Sequence, residues 1–303
     1  MRLEMKRYLS AVLVIFMIVG VVNAQELKPY VLGAVSSESM DMVKEKVRAN
    51  LDSAGFMVLG EYAPANDIKR WVFVVNSEAL IQAVQSVGGL SGFASALRVA
   101  LTVENGKVLI SYTNPTYLGN AYFQKRFPDV DNYFSQIEQQ FDTAMLELGE
   151  VKYEAFGAEE GLEAKELRKY HYMFGMEYFE DVVELNEFDS FAAGKKTIEA
   201  ELIKGGNTNL VYAYEVPGKD LKLYGIALSG ETGEGHFLPI IDISKPNHTA
   251  FLPYEILLMG DTAVMLHGRY RIALAFPDLT MTTFGKIMST PGNIEELMRS
   301  VTE

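Results

Sequence analysis

Hydrophobic and polar positions change period repeatedly along the chain. Residues 30–35 are apolar and read as a strand. From Met40 the period lengthens: Met40, Val43, Val47, Leu51 and Ala54 recur every three or four residues and predict a helix. Ser36, Ser37 and Ser39 offer capping oxygens near its start, and Gly55 stops it as a left-handed residue would. Strands follow over 56–62, ended by Pro64, and over 70–75. A second helix starts near Ser77 with Leu80, Val84, Val87 and Leu90 inward, frayed at Gly88 and Gly89. The stretch LRVALTVENGKVLISYTNP, residues 97–115, reads as two strands about Asn105 and Gly106, which tolerate positive φ and so favour a tight hairpin. Residues 131–148 carry Tyr133, Phe134, Ile137, Phe141, Ala144, Met145 and Leu148 on one broad helical face.

The same order then returns. Strand material lies within 173–185, and 190–204 is helical with Phe191, Ala192, Ile198, Leu202 and Ile203 inward and Gly205 and Gly206 at its end. LVYAYEVP (210–217) parallels FMVLGEYAP (56–64), and LKLYGIAL (221–228) parallels RWVFVV (70–75). After the insertion SGETGEGHF, read as a flexible hairpin loop, FLPYEILLMGDTAVML parallels the hairpin; RIALAFPDL reads as a closing strand, and 281–301 as largely helical. The class this predicts is α+β: two related α/β sandwich units, each a mixed or mostly antiparallel sheet with helices on one face. Two such units can pack as a covalently linked pseudo-dimer. The boundaries are a leader over 1–24, a first unit over 25–150, a linker or connector helix over 151–170, and a second, divergent unit over 171–303.

The first residues place the chain. Arg2, Lys6 and Arg7, an uncharged apolar run over 8–22, and small residues at Val22, Asn23 and Ala24 read as a secretory signal peptide cut after Ala24. The run is shorter than the roughly 20 residues of a spanning helix. A periplasmic or secreted protein, with no stable membrane insertion after cleavage, is the expectation. The chain has no cysteine, so it stands without disulfides and rests on buried apolar surface; its 49% hydrophobic content suits that. There are 27 Lys and Arg against 40 Asp and Glu, a net charge of −13. Such a surface repels phosphate backbones, so nucleic acid is not an expected partner.

One stretch resembles a known family. FVVNSEALIQAVQSVGGLSGFASALRVALTVENGKVLISYTNP, residues 73–115, has Asn76 near a strand end, a helix, the hairpin about Asn105 and Gly106, and the closing Tyr112, Thr113, Asn114 and Pro115. In that order it resembles the domain of unknown function 302 family. The first unit follows the pattern over most of its length; the second departs at SGETGEGHF and HGRY. The resemblance implies a compact, often self-associating α/β sandwich, hence a homodimer as one expectation. It implies no settled activity and supplies no catalytic residue.

Candidate chemistry is sparse. Of the four histidines, His236, His248 and His267 fall within 235–268 and form the candidate metal or haem ligands, although no HxxxH, HExxH or HxH spacing occurs. No G-x-S-x-G or phosphate-loop order is present, so no enzyme class is indicated. Aromatics after the two hairpins, among them Tyr112, Tyr117, Tyr254 and Tyr270, are candidates for lining an apolar cleft between units. Arg269 and Arg271, read on one strand face, and Arg98 can hold an acidic ligand group or pair with surface carboxylates. Three functions stay open: binding a small apolar or amphipathic ligand or an envelope partner; a metal- or haem-dependent protein; and a purely structural envelope protein.

Overall fold

The computed structural model describes residues 26–303; the expected leader lies outside them. The chain runs β1 (Glu26–Leu27), β2 (Tyr30–Ser36), α1 (Met40–Ser53), β3 (Phe56–Tyr62), β4 (Arg70–Ser77), α2 (Glu78–Val87), β5 (Leu97–Glu104) and β6 (Lys107–Thr113). Then come α3 (Pro115–Phe123), α4 (Asp131–Ala144), β7 (Glu150–Phe156), β8 (Leu162–Glu163) and α5 (Ala164–Leu167). The rest is β9 (Val183–Glu187), α6 (Phe191–Lys204), β10 (Thr208–Glu215), β11 (Leu221–Leu228), α7 (Glu234–Ile241), β12 (Tyr254–Met259), β13 (Thr262–Met265), α8 (Gly268–Ala275), α9 (Met281–Lys286) and α10 (Thr290–Arg299).

The class is α+β. One sheet has the order β3-β4-β5-β6-β2-β7 and the other β10-β11-β12-β13-β9, and every pairing is antiparallel. Both sheets therefore place their first strand (β2 or β9) beside the second strand of their hairpin (β6 or β13), and in the first sheet β7 is added beyond β2. The local signals behind this are plain: Asn105 and Gly106 take φ of 49° and 74° in the β5–β6 hairpin, and Gly55 and Gly205 follow α1 and α6 at φ of 83° and 69°.

The central strands explain the continuous apolar runs. Leu97, Val99 and Leu101 of β5 are fully buried and share one face of the strand, while Arg98, Thr102 and Glu104 point to the second unit. In β12, Leu258 packs towards Gly194 of α6, while Glu255 and Leu257 meet Arg98 and Gly92 of the first unit. Each central strand is covered on both faces, so its sequence does not alternate. The turn Gly89–Ala94 rests on β11 and β12, and the turn Thr249–Phe251 rests on β4, β5 and β6.

Three expectations are corrected. Residues 150–156, placed at the linker boundary, form β7, which adds to the free edge of β2; β8 beyond it pairs with β1, so the connector is folded back on the first unit. RIALAFPDL is not a strand: α8 covers its first part, started by His267, whose side chain accepts from the Arg269 amide. Burial of Tyr270, Arg271, Ile272, Ala273 and Leu274 around that helix erases any polar period. SGETGEGHF is not a free loop, because α7 begins inside it at Glu234, which is 1% exposed.

Candidate functional site

The two units meet through a buried polar junction. Arg98 on β5 and Glu255 on β12 form an ion pair with side chains 2% and 1% exposed. The Tyr212 hydroxyl donates to the same Glu255 oxygen at 2.6 Å, and Arg271 Nη1 lies 3.2 Å from the other oxygen. Arg271 Nη2 donates to the carbonyls of Phe251 (2.9 Å) and Pro253 (2.6 Å). Burial keeps the Tyr212 hydroxyl protonated far above the usual phenol range, with Glu255 adding to the effect, so it acts here only as a donor.

Three further contacts fasten the units. Arg70 pairs with Asp242, whose carboxylate also accepts the His248 amide at 2.7 Å; Thr102 donates to Thr249 at 2.8 Å, and the Asn247 amide donates to Glu104 at 2.8 Å. Elsewhere Glu234 accepts from the Tyr62 hydroxyl (3.0 Å), the Ala65 amide (2.8 Å) and the Leu228 amide (3.2 Å). Burial lifts its carboxyl to about 7 in spite of those donors.

Beside this junction lies a cleft of about 360 Å³ with walls from both units. Phe156 comes from β7, Ile241 from the end of α7, and Phe276 and Leu279 from the segment after α8; Lys28 and Lys245 sit at its polar parts. His248 is 5% exposed and lies against Phe276 (ring centroids 4.6 Å apart, 25° between planes), Tyr30 (5.0 Å) and Phe156 (6.0 Å). Its Nδ1 is 3.1 Å from the Ala275 carbonyl, which only accepts, so Nδ1 carries the proton and Nε2 the lone pair. Burial lowers the pKa of the ring, favouring this neutral form. Nε2 makes no hydrogen bond among the described residues. The arrangement offers flat apolar faces and one acceptor. Asp242 is bound to the backbone of His248 rather than to its ring, so no carboxylate–imidazole dyad forms through Nδ1.

The candidates from the sequence are scattered. Tyr112 lies inside the first unit, stacked on Phe141 of α4 at 4.3 Å. Tyr117 reaches across to the Leu274 carbonyl at 2.9 Å. Tyr254 and Tyr270 are 1% and 2% exposed and serve as packing, Tyr254 edge-on to Phe251 at 5.3 Å. Arg269 is exposed on α8, 3.4 Å from Glu177, whereas Arg271 is buried in the junction; they share a helix and not a strand face. Of the candidates, Tyr117, Arg271 and Arg98 border a common crevice.

The three histidines named as candidate metal or haem ligands do not come together. His236 is exposed on α7. His267 caps α8, with Nδ1 accepting from the Arg269 amide at 3.3 Å and Nε2 3.4 Å from Glu177. His248 sits at the other end of that eight-residue helix, about 12 Å away at 1.5 Å per residue. No group of three His, Cys, Asp or Glu able to hold a metal occurs among the described residues. Sequence reasoning missed Glu255, Glu234 and Phe156. Glu255 had a signal: like Arg98 in LRVAL, it is the lone charge in an apolar strand, YEILLM.

No protein-family model matches the chain, and no curated protein matches it either. Among solved structures, it is similar to an uncharacterized conserved protein DUF302 from Bacillus stearothermophilus: 18% identity and a TM-score of 0.34, over 38% of this chain and 94% of that one. A likeness at that level carries no argument about function. No helix among the described residues is long and apolar enough to cross a membrane.

Proposed function

We propose that the protein is an exported binding module, built from a duplicated α+β unit, that holds a small apolar or amphipathic ligand in the cleft beside His248. The duplication reading is supported by the shared strand order of the two sheets. It also draws support from the reciprocal seating of the turns Gly89–Ala94 and Thr249–Phe251, each on the other unit's central strands. The second unit then stands where a second copy stands in an ordinary dimer.

The observation that carries the ligand reading is His248 itself: a buried, neutral imidazole with an uncommitted Nε2, sandwiched by aromatics in a cleft of about 360 Å³ shared by both units. That volume and lining suit a drug-sized or smaller molecule with a flat apolar part and one hydrogen-bond donor. Nothing in the cleft supplies an activated nucleophile, so binding and not turnover is the expected activity.

Native mass spectrometry of the protein isolated from its own host tests this. The expected result is a retained organic adduct of a few hundred daltons that is lost in Phe276→Ala. Histidine NMR gives a second reading: adding the released molecule shifts the His248 ring signals and leaves those of His236 and His267 unmoved. A protein that carries no adduct, and whose His248 signals do not respond to the organic extract of the host, ends the proposal.

A further inference from the structure

The junction between the units holds more positive charge than its partners cancel. Arg98 and Arg271, with side chains 2% and 7% exposed, share one carboxylate, Glu255. Two other buried acids of the second unit are committed elsewhere: Asp242 to Arg70, and Glu234 to three donors, Tyr62, Ala65 and Leu228. Neither touches Arg98 or Arg271. One guanidinium charge is therefore left over in a site taken out of water, where an uncompensated charge is costly.

The hydrogen-bond inventory points the same way. Two of the five N–H groups of each guanidinium have acceptors: Arg98 Nη1 donates to Ala96 and its Nη2 to Glu255, and Arg271 Nη2 donates to two carbonyls. The Nε–H of Arg98 and that of Arg271 are both buried and find no acceptor among the described residues. Both arginines border one crevice of about 40 Å³, together with Tyr30, Thr113, Tyr117 and Tyr122. The hydroxyls of Tyr30 and Tyr117 already donate to Ala275 and Leu274, at 3.3 and 2.9 Å. Thr113 Oγ1 accepts from the Arg98 amide at 3.3 Å and keeps its own proton to give. The crevice thus borders two Nε–H donors that are unmatched, and the buried carboxylate oxygen left without a hydrogen bond, Glu255 Oε2, faces Arg271 Nη1 at 3.2 Å and bonds to neither Nε.

We propose that this crevice between Arg98 and Arg271 binds a small monovalent anion of halide size. Its volume admits a few water-sized occupants, each needing about 10–15 Å³ of such space, and a halide is of that size. Water satisfies the two Nε donors but leaves the charge; a halide answers both. The site is separate from the cleft at His248, so the failure of either reading leaves the other standing.

The wild-type full chain tests it with bromide as the probe. Crystals transferred to sodium bromide are expected to show an anomalous peak within hydrogen-bond reach of both Nε atoms. Thermal unfolding at fixed ionic strength is expected to give a melting temperature that rises and then saturates as sodium chloride replaces sodium gluconate, whose anion is too large for the crevice. Arg271→Met, if it folds, loses that chloride response. A melting temperature indifferent to the anion overturns the proposal, as does the absence of bromide between the arginines. A peak there without the stability response marks an adventitious ion only, and overturns it equally.

Discussion

The two units keep one strand order but differ at the positions where they touch. Arg98 on β5 lies opposite Val74 of β4, and Glu255 on β12 lies opposite Gly225 of β11. Val74 and Gly225 are each the fifth residue of their strand, so Arg98 and Glu255 occupy corresponding places, and they meet each other. Gly60 and Tyr212 make a second such pair: each follows the register shift of its own strand, β3 or β10. A side chain at Gly60 would run into the Val211 carbonyl, while Tyr212 sends its hydroxyl to Glu255. The lesson is that like scaffolds with unlike residues make a directional junction. Two first units face to face would bring Arg98 against Arg98; only the mixed pairing cancels charge.

The largest expected effect breaks this comparison at its centre. Glu255→Leu leaves two buried guanidiniums without a carboxylate and is expected to cost about 3–5 kcal/mol. Arg98→Met is expected to cost clearly less, because Arg271 stays on Glu255. Urea unfolding at pH 7 measures both; equal losses would mean that the third member, Arg271, contributes nothing to the asymmetry.

Glu234 sharpens the comparison through pH. Its folded pKa is about 7, raised from 4.5 chiefly by burial. The folded state therefore holds this proton more tightly than the unfolded chain does. The stabilisation is complete below about pH 4.5 and lost as pH rises through about 7, an effect on the order of 3 kcal/mol at most. Glu234→Gln is expected to flatten the stability profile between those limits. Because Glu234 bonds across units to Tyr62 and Ala65, hydrogen exchange at the Ala65 amide should quicken with pH more than the intrinsic rate does.

Much of this was legible locally and little of it globally. The β5–β6 hairpin announced itself through Asn105 and Gly106, and α1 through the stripe Met40, Val43, Val47 and Leu51, because these signals are set by neighbours in the chain. The helix α8 was read as a strand because it is surrounded; with apolar contact on most sides, no polar face marks its period. The edge strand β7 reads as linker because five of its seven residues are exposed and Glu150, Lys152 and Glu154 charge it, and Tyr153 sits at a φ of 52°. For the site, Arg271 stands out in the sequence together with Arg269, but its partner Glu255 belongs to another element, and a pairing across elements leaves no periodic trace. His248 drew notice for the wrong chemistry: its neighbours are rings and a carbonyl, supplied by segments that the sequence keeps far apart.

A smaller perturbation tests the second corresponding pair. Gly60→Ala puts a methyl group against the Val211 carbonyl and the Tyr212 side chain, and a cost of about 1–3 kcal/mol is expected from overpacking. Gly235→Ala serves as the control, since a Cβ there meets nothing within 4 Å. A loss at Gly60 no greater than the control's would show that β3 and β10 separate freely.

The smallest effect examines where the units are alike. Both α1 and α6 follow the first strand of their sheet, and both begin with a serine cap: Ser39 accepts from the Met42 amide at 3.5 Å and Ser190 from the Ala193 amide at 3.2 Å. Each substitution by alanine is expected to cost about 1 kcal/mol, with Ser39→Ala at the lower end because its bond is the longer. Neither cap contacts the other unit, so the two losses should add in the double variant. That contrasts with the junction, where Arg98→Met combined with Glu255→Leu is expected to cost less than the sum, since the two residues share one interaction. Additive caps beside a non-additive junction are what two self-sufficient scaffolds joined by one shared polar cluster would produce. Caps that coupled as strongly would mean instead that the chain folds as a single indivisible body, and the correspondence between its halves would then describe geometry without independence.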